Sequence, residues 1–185
     1  MISEIDTVEI VAGLMMVAAR TAPKAMAVDS IVTKIVAGKE LESFAKKMDE
    51  IGEQTGMTFF NTNANHLRAA DLMVLIGVKG CQPLGANCGG CGHATCAEFG
   101  KEVRAAAQAV ADYPGPNCIF KVTDLGIAVG SAVKCAASHN VDNRVMYTAG
   151  VAAKKLQVMD ECSIVYGIPL KASGKNIFFA DPVMH

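Results

Sequence analysis

Leu72-Met73-Val74-Leu75-Ile76-Gly77-Val78 is an unbroken apolar run of strand length, entered through Asp71 and left through Lys79 and Gly80. A strand that is apolar at every position has no face to give to water, so it belongs in the middle of a sheet that is covered on both sides. The neighbouring segments read accordingly. Ser30 to Val36 is β-branched and roughly alternating, which predicts a second strand, and Ser163 to Ile168, Asn176 to Ala180 and a short piece at Arg144 to Tyr147 complete the sheet. Helical periodicity lies between them. A first helix is expected from Asp6 to Ala19, capped by Asp6 or Thr7, with Ile10, Leu14 and Val17 as its apolar face and Pro23 beyond its end. Lys39 to Glu53 repeats Leu41, Phe44, Ala45, Met48 and Ile51 at helical spacing. Further helices are predicted at Asn65 to Ala70, Ala97 to Ala111, Ser138 back to a cap at Thr123 or Asp124, and Ala149 to Gln157. The expected fold class is α+β: a mixed sheet flanked by helices, one domain over residues 1–185, with a cysteine-rich segment inserted at 81–118.

That insertion follows the central strand directly. Cys88-Gly-Gly-Cys91-Gly-His-Ala-Thr-Cys96 is a C-x2-C-x4-C pattern in a loop of glycines. Two thiolates three positions apart face one metal centre across a tight turn, and Gly89, Gly90 and Gly92 free the backbone for positive φ. Backbone N–H groups so released stabilise the negative charge of a thiolate-bound cluster. Glycines of this density have no packing purpose of their own. Cys135, in an alanine-rich helical stretch, and Cys162, opening a valine- and isoleucine-containing run, read instead as small core residues.

A cubane cluster takes four thiolates, and two cysteines compete for the fourth place. Cys118 is preferred over Cys81. The helix after Cys96 carries the chain roughly 22 Å away over about 15 residues, and Tyr113-Pro114-Gly115-Pro116-Asn117 supplies the turn that brings Cys118 back. Cys81 needs no such return, and Pro83 and Gly85 bring it near as readily. A four-thiolate zinc site is the chemical rival, but such sites commonly use two C-x2-C knuckles where this chain has one, and the asymmetry favours iron-sulfur. His93 is read as facing solvent or supporting a ligand.

Composition excludes several classes. The chain has 185 residues with 51% hydrophobic, enough for a core without disulfide staples, and its seven cysteines are an odd number. With 17 basic and 18 acidic residues and no basic run, nothing recommends nucleic acid as a partner. No segment holds the roughly 18 to 20 uninterrupted apolar residues of a membrane span. Met1-Ile2-Ser3-Glu4-Ile5-Asp6 is acidic where a secretory signal is basic, so a cytoplasmic, reducing compartment is expected. No nucleophile elbow or histidine-carboxylate pattern points to hydrolase chemistry.

Pro83 to Phe99, with its cysteine triplet, resembles the four-iron four-sulfur domain of electron-transport subunits and corrinoid iron-sulfur proteins. In that domain a later cysteine after a helix completes the set, which by position is Cys118. Taken whole, the chain is similar to a group of prokaryotic ferredoxin-domain-containing proteins with no assigned reaction. Its framing segments also resemble the flavin-binding nitroreductase family: Ala18-Ala19-Arg20-Thr21-Ala22-Pro23-Lys24-Ala25, Asp124-Leu125-Gly126-Ile127-Ala128 and Tyr166-Gly167-Ile168-Pro169. The resemblance implies a nitroreductase-like sheet, a homodimer and FMN.

The departures bear on flavin. Nitroreductases resemble one another in an amino-terminal arginine- and serine-rich phosphate motif, and residues 1–17 here contain no basic residue. A dianionic phosphate needs cationic or N–H donors, and the candidates left are Arg20, Lys24, Lys171 and Lys175. Arg20 and Lys24 equally suit the basic end of a helix, where they complement its dipole. The expected function is a 4Fe-4S redox protein, a reductase if FMN is bound. The alternatives are an electron carrier without flavin and a zinc-stabilised domain.

Overall fold

A computed structural model of the chain describes residues 3–105 and 112–179. The elements run α1 (Glu4–Thr21), a 3₁₀ turn (Ala25–Ala27), β1 (Ile31–Ala37), α2 (Lys39–Thr55), α3 (Phe59–Ala69), β2 (Leu72–Val78), α4 (Cys96–Ala105), α5 (Ile119–Ser138), β3 (Asp142–Asn143), α6 (Tyr147–Lys155) and β4 (Ile164–Lys171). The strand order is β1-β2-β4-β3, so β2 is interior, as its apolar run requires. The expected α+β sheet flanked by helices is there, but it is not mixed: every pairing among the described residues is antiparallel.

Alternation along β2 divides the core. Leu72, Val74, Ile76 and Val78 pack with Val8, Val11, Met15, Leu125 and Ala132 of α1 and α5. Met73 and Leu75 pack on the other face with Phe44, Met48, Phe60, Val151 and Ala152 of α2, α3 and α6. All seven residues of β2 are buried. This is what fixes the strand's register, because a slip by one residue would exchange its two sets of side chains between the faces.

Several boundaries differ from expectation. Helix α1 begins earlier, because Ser3 caps it and Asp6 returns a bond to the Ser3 N–H, a complete capping box. Its buried face is also different: Val8, Val11, Ala12, Met15 and Ala19 turn inward, while Ile10, Leu14 and Val17 are 56%, 41% and 57% exposed. α1 lies against α5 by its smaller residues, and an almost uniformly apolar helix gives periodicity no single phase to find. Helix α3 starts at Phe59 instead of Asn65, because Phe60 and Ala64 already belong to the core. Helix α5 starts at Ile119, not at a Thr123 or Asp124 cap. Asp124 lies inside it, buried, and its carboxylate accepts the Ala25 N–H at 3.0 and 3.2 Å. The expected strand at Arg144 to Tyr147 reduces to β3 and a single bridge, Met146 to Gly167, before α6 begins. Residues 176–179 form no strand. Ala180 and the end of the expected Ala97 to Ala111 helix lie outside the described residues.

None of the described helices is long and apolar enough to cross a membrane.

Candidate metal centre

The site is built at the end of β2 where the chain leaves the sheet. The Lys79 N–H donates to the Ser30 carbonyl at 3.1 Å and the Gly80 N–H to Ser163 Oγ at 2.9 Å. Ser163 Oγ donates in turn to Asn117 Oδ1 at 2.5 Å, and Asn117 Nδ2 to the Pro114 carbonyl at 2.8 Å. The Cys118 N–H closes the set on the Gly80 carbonyl at 2.8 Å. The Pro/Gly break is thereby tied to the start of the cysteine loop. Gly80 has no room for a side chain, since a Cβ there would stand 2.6 Å from Ser163 Oγ.

The loop itself has no regular structure before α4. Asn87, Gly89 and Gly92 take positive φ of 49°, 72° and 87°, and the Gly92 N–H donates to the Gly89 carbonyl at 3.0 Å. These are left-handed positions that glycine and asparagine adopt at least cost. Asn87 clamps one cysteine from both sides: its N–H points at Cys96 Sγ at 3.4 Å, and its Oδ1 accepts the Cys96 N–H at 2.8 Å. Thr95 and Glu98 exchange bonds of 3.2 Å to each other's N–H, a capping box that starts α4 at Cys96.

Cys88, Cys91, Cys96 and Cys118 line one hollow, together with Leu84, Phe99, Ile119 and Phe120. About 10 Å³ of the hollow is accessible to a water-sized group. Cys88 is exposed, Cys91 and Cys96 are half-buried and Cys118 is buried; all seven cysteines of the chain are free thiols. Cys96 is the first residue of α4 and Cys118 caps α5, so two of the four sulfurs stand at the positive ends of helices.

Among the described residues no three His, Cys, Asp or Glu side chains converge as ligands of one metal ion. The four thiols that line the hollow are the donor type that would hold a cluster. The donor set is all soft sulfur, with a backbone N–H already aimed at one of them. These residues fit an iron-sulfur cluster.

Cys81 is not among the residues that line the hollow. Its Sγ lies 3.9 Å from Asn117 Oδ1 and 4.0 Å from the Pro114 carbonyl. Burial pushes its thiol above the usual range, against the opposing pull of the Ser163 hydroxyl and Lys154. Cys162, packed over Gly77 in the core, is pushed up to about 12, chiefly by burial. Neither environment favours a thiolate. His93 stacks edge-on to Phe99 at 5.8 Å and also lines the hollow.

The candidate phosphate ligands are dispersed. Arg20 donates to the Asp29 carboxylate and to the Ile31 carbonyl at 2.7 Å, and Lys24 donates to the carbonyls of Ala19, Arg20 and Ala22 at 2.7, 2.7 and 2.8 Å. Lys24 thus finishes α1, and Arg20 ties its last turn to the start of β1. Lys171 pairs with Asp71 at 2.6 Å, and Lys175 is exposed in the turn that follows β4. Ile31 pairs with Val78 and Leu170 with Leu72, which puts Arg20 and Lys24 at one end of the sheet and Lys171 and Lys175 at the other, about 20 Å apart by strand length.

Two features at this end are not visible in the pattern of the sequence. Lys121 is a lysine on the inward face of α5, which periodicity assigns to apolar residues. Asn87 carries no signal as an N–H donor to sulfur. The capping box, by contrast, is legible as Thr95-x-x-Glu98.

The sheet, its two helical layers and their order define a nitroreductase-like fold. The nitroreductase CinD from Lactococcus lactis, solved with nicotinic acid, superposes with a TM-score of 0.58 at 12% identity over 94% of this chain and 84% of that one. The NADPH:FMN oxidoreductase from Vibrio harveyi, complexed with NAD+, superposes with a TM-score of 0.51 at 11% identity over 91% of this chain; this chain spans only 61% of that protein's length. A protein from Archaeoglobus fulgidus is 44% identical over 174 residues, covering 94% of this chain and 91% of its own. Residues 114–180 match a family described as uncharacterized protein containing a ferredoxin domain (DUF2148). The chain belongs to this family. The match includes Cys118 and all of α5 but not the Cys88 to Cys96 triplet. A ferredoxin domain points to iron-sulfur electron transfer.

Proposed function

We propose that the protein is an iron-sulfur electron-transfer protein that holds a [4Fe-4S] cluster through Cys88, Cys91, Cys96 and Cys118. The observation that carries this reading is the lining of one hollow by these four thiols, two of them at helix N-termini. When bound, the cluster supplies one-electron chemistry. The chain's own residues do the rest. Asn87 donates its N–H to one sulfur, and Leu84, Ile119 and Phe120 supply apolar lining beside the thiols. Free thiols throughout suit a reducing compartment such as the cytoplasm.

A second reading, a flavin-dependent reductase of a small molecule, is favoured by the fold, since a structural neighbour is an NADPH:FMN oxidoreductase. The engagement of Arg20 by Asp29 and the Ile31 carbonyl, and of Lys24 by the carbonyls that end α1, weighs toward the carrier. A visible spectrum of anaerobically purified protein, taken before and after dithionite, tests both readings. Broad absorption that bleaches on reduction, without a flavin band, is the expected result. A flavin spectrum that survives gel filtration would favour the reductase, and a colourless protein would contradict both.

We further propose a homodimer that covers part of α1. Ile10, Leu14 and Val17 form an apolar stripe at helical spacing that the described chain leaves exposed. Leu14→Asp is expected to weaken self-association at least tenfold, about 1.4 kcal/mol, as read by light scattering over a concentration series. An unchanged mass profile would exclude this face.

A further inference from the structure

Cys118, Lys121 and Asp124 follow one another at three-residue steps on α5, the spacing that stacks side chains on one helical face. That face is the inward one: the three are 6%, 3% and 3% exposed. The carboxylate of Asp124 is engaged by the Ala25 N–H. The ammonium of Lys121 makes no hydrogen bond and no ion pair among the described residues.

Three costs meet at this lysine. Burial of its side chain disfavours the charged form. It stands in the first turn of a helix, where the dipole favours anions and disfavours cations. Lys79, at the end of β2, repels it, while Cys118 and then Asp124 attract it. A methionine of similar length would carry none of these costs. What the position offers in return is a positive charge one helical turn behind the sulfur of Cys118, on the protein side of the hollow.

We propose that Lys121 is the buried counter-charge of the metal centre, holding up the reduction potential of a cluster bound through Cys118. The inference rests on the cluster reading above. A four-thiolate [4Fe-4S] centre is a dianion that becomes a trianion on taking one electron. No bond forms or breaks, and Lys121 keeps its proton. A fixed cation nearby stabilises the more negative form. Lys121 touches no electron partner in this account; it is a positioning charge that acts through the centre.

The test uses the full chain, purified without oxygen, as the unmodified protein, Lys121→Met and Lys121→Arg. Iron and sulfide are measured first, and the potential is then found by EPR-monitored titration with dithionite and mediators. Lys121→Met is expected to keep its iron and to be at least tenfold harder to reduce, a fall of about 59 mV for a one-electron couple. Lys121→Arg is expected to stay within about threefold of the unmodified protein. Lys121→Met with its iron intact and an unshifted potential would overturn the inference and leave the cluster assignment standing. Loss of iron from both variants would make Lys121 structural and equally overturn it. Absence of iron and sulfide from the unmodified protein would remove the cluster reading, and this inference with it.

Discussion

Cys118→Ser is expected to strip the protein of most of its iron, as are Cys88→Ser, Cys91→Ser and Cys96→Ser, while Cys81→Ser, Cys135→Ser and Cys162→Ser leave the iron in place. A serine hydroxyl at neutral pH is not the anionic, soft donor that cluster iron requires. Outer residues around a metal site typically change affinity by about 10- to 100-fold, so loss of a direct ligand should cost at least on the order of a hundredfold. The comparison between Cys118 and Cys81 is the discriminating one. Both are close to the Gly80 turn, but Cys118 lines the hollow and Cys81 faces Asn117 and the Pro114 carbonyl. Iron analysis by mass spectrometry on each variant checks the set. Full retention in Cys118→Ser together with loss in Cys81→Ser would reassign the fourth ligand.

Gly150→Ala is expected to destabilise the fold by about 3 kcal/mol or more, the upper range of overpacking effects. Helix α6 lies directly on β4, and a Cβ at Gly150 would overlap the carbonyl of Val165. That oxygen accepts the Tyr113 hydroxyl at 2.5 Å, so it is held from the other side by the segment that leads to Cys118. Backbone on one side and a packed ring on the other leave no flexible group to yield. For a chain of this size the loss corresponds to a fall in melting temperature of roughly 6 to 12 °C. Gly13 is the control, because a Cβ there meets nothing within 4 Å, and Gly13→Ala should gain up to about 1 kcal/mol in helix propensity. Thermal unfolding followed by circular dichroism checks both. A Gly150→Ala protein that melts with the unmodified one would show that α6 can lift from β4 without cost.

The legible parts of this chain are those in which one physical requirement dominates a segment. β2 is readable because an unbroken apolar run can only lie inside a sheet. The break at Tyr113 to Asn117 is readable because two prolines and a glycine end a helix wherever it packs. The face of α1 is not, because apolar residues surround that helix and its orientation is decided by the fit of Ala12 and Ala19 near α5. Lys121 and Asp124 are illegible for the opposite reason. Both are charged residues on a buried face, and the group that holds Asp124, the Ala25 N–H, lies far away in sequence. The separation of Arg20 and Lys24 from Lys175 likewise follows from strand pairing, which no local pattern encodes.

Quantification of iron, acid-labile sulfide and zinc in protein purified without oxygen tests the central claim most directly. About four irons and four sulfides per chain, with little zinc, is the predicted result. One zinc per chain without sulfide would contradict it and make the four thiols a structural metal site.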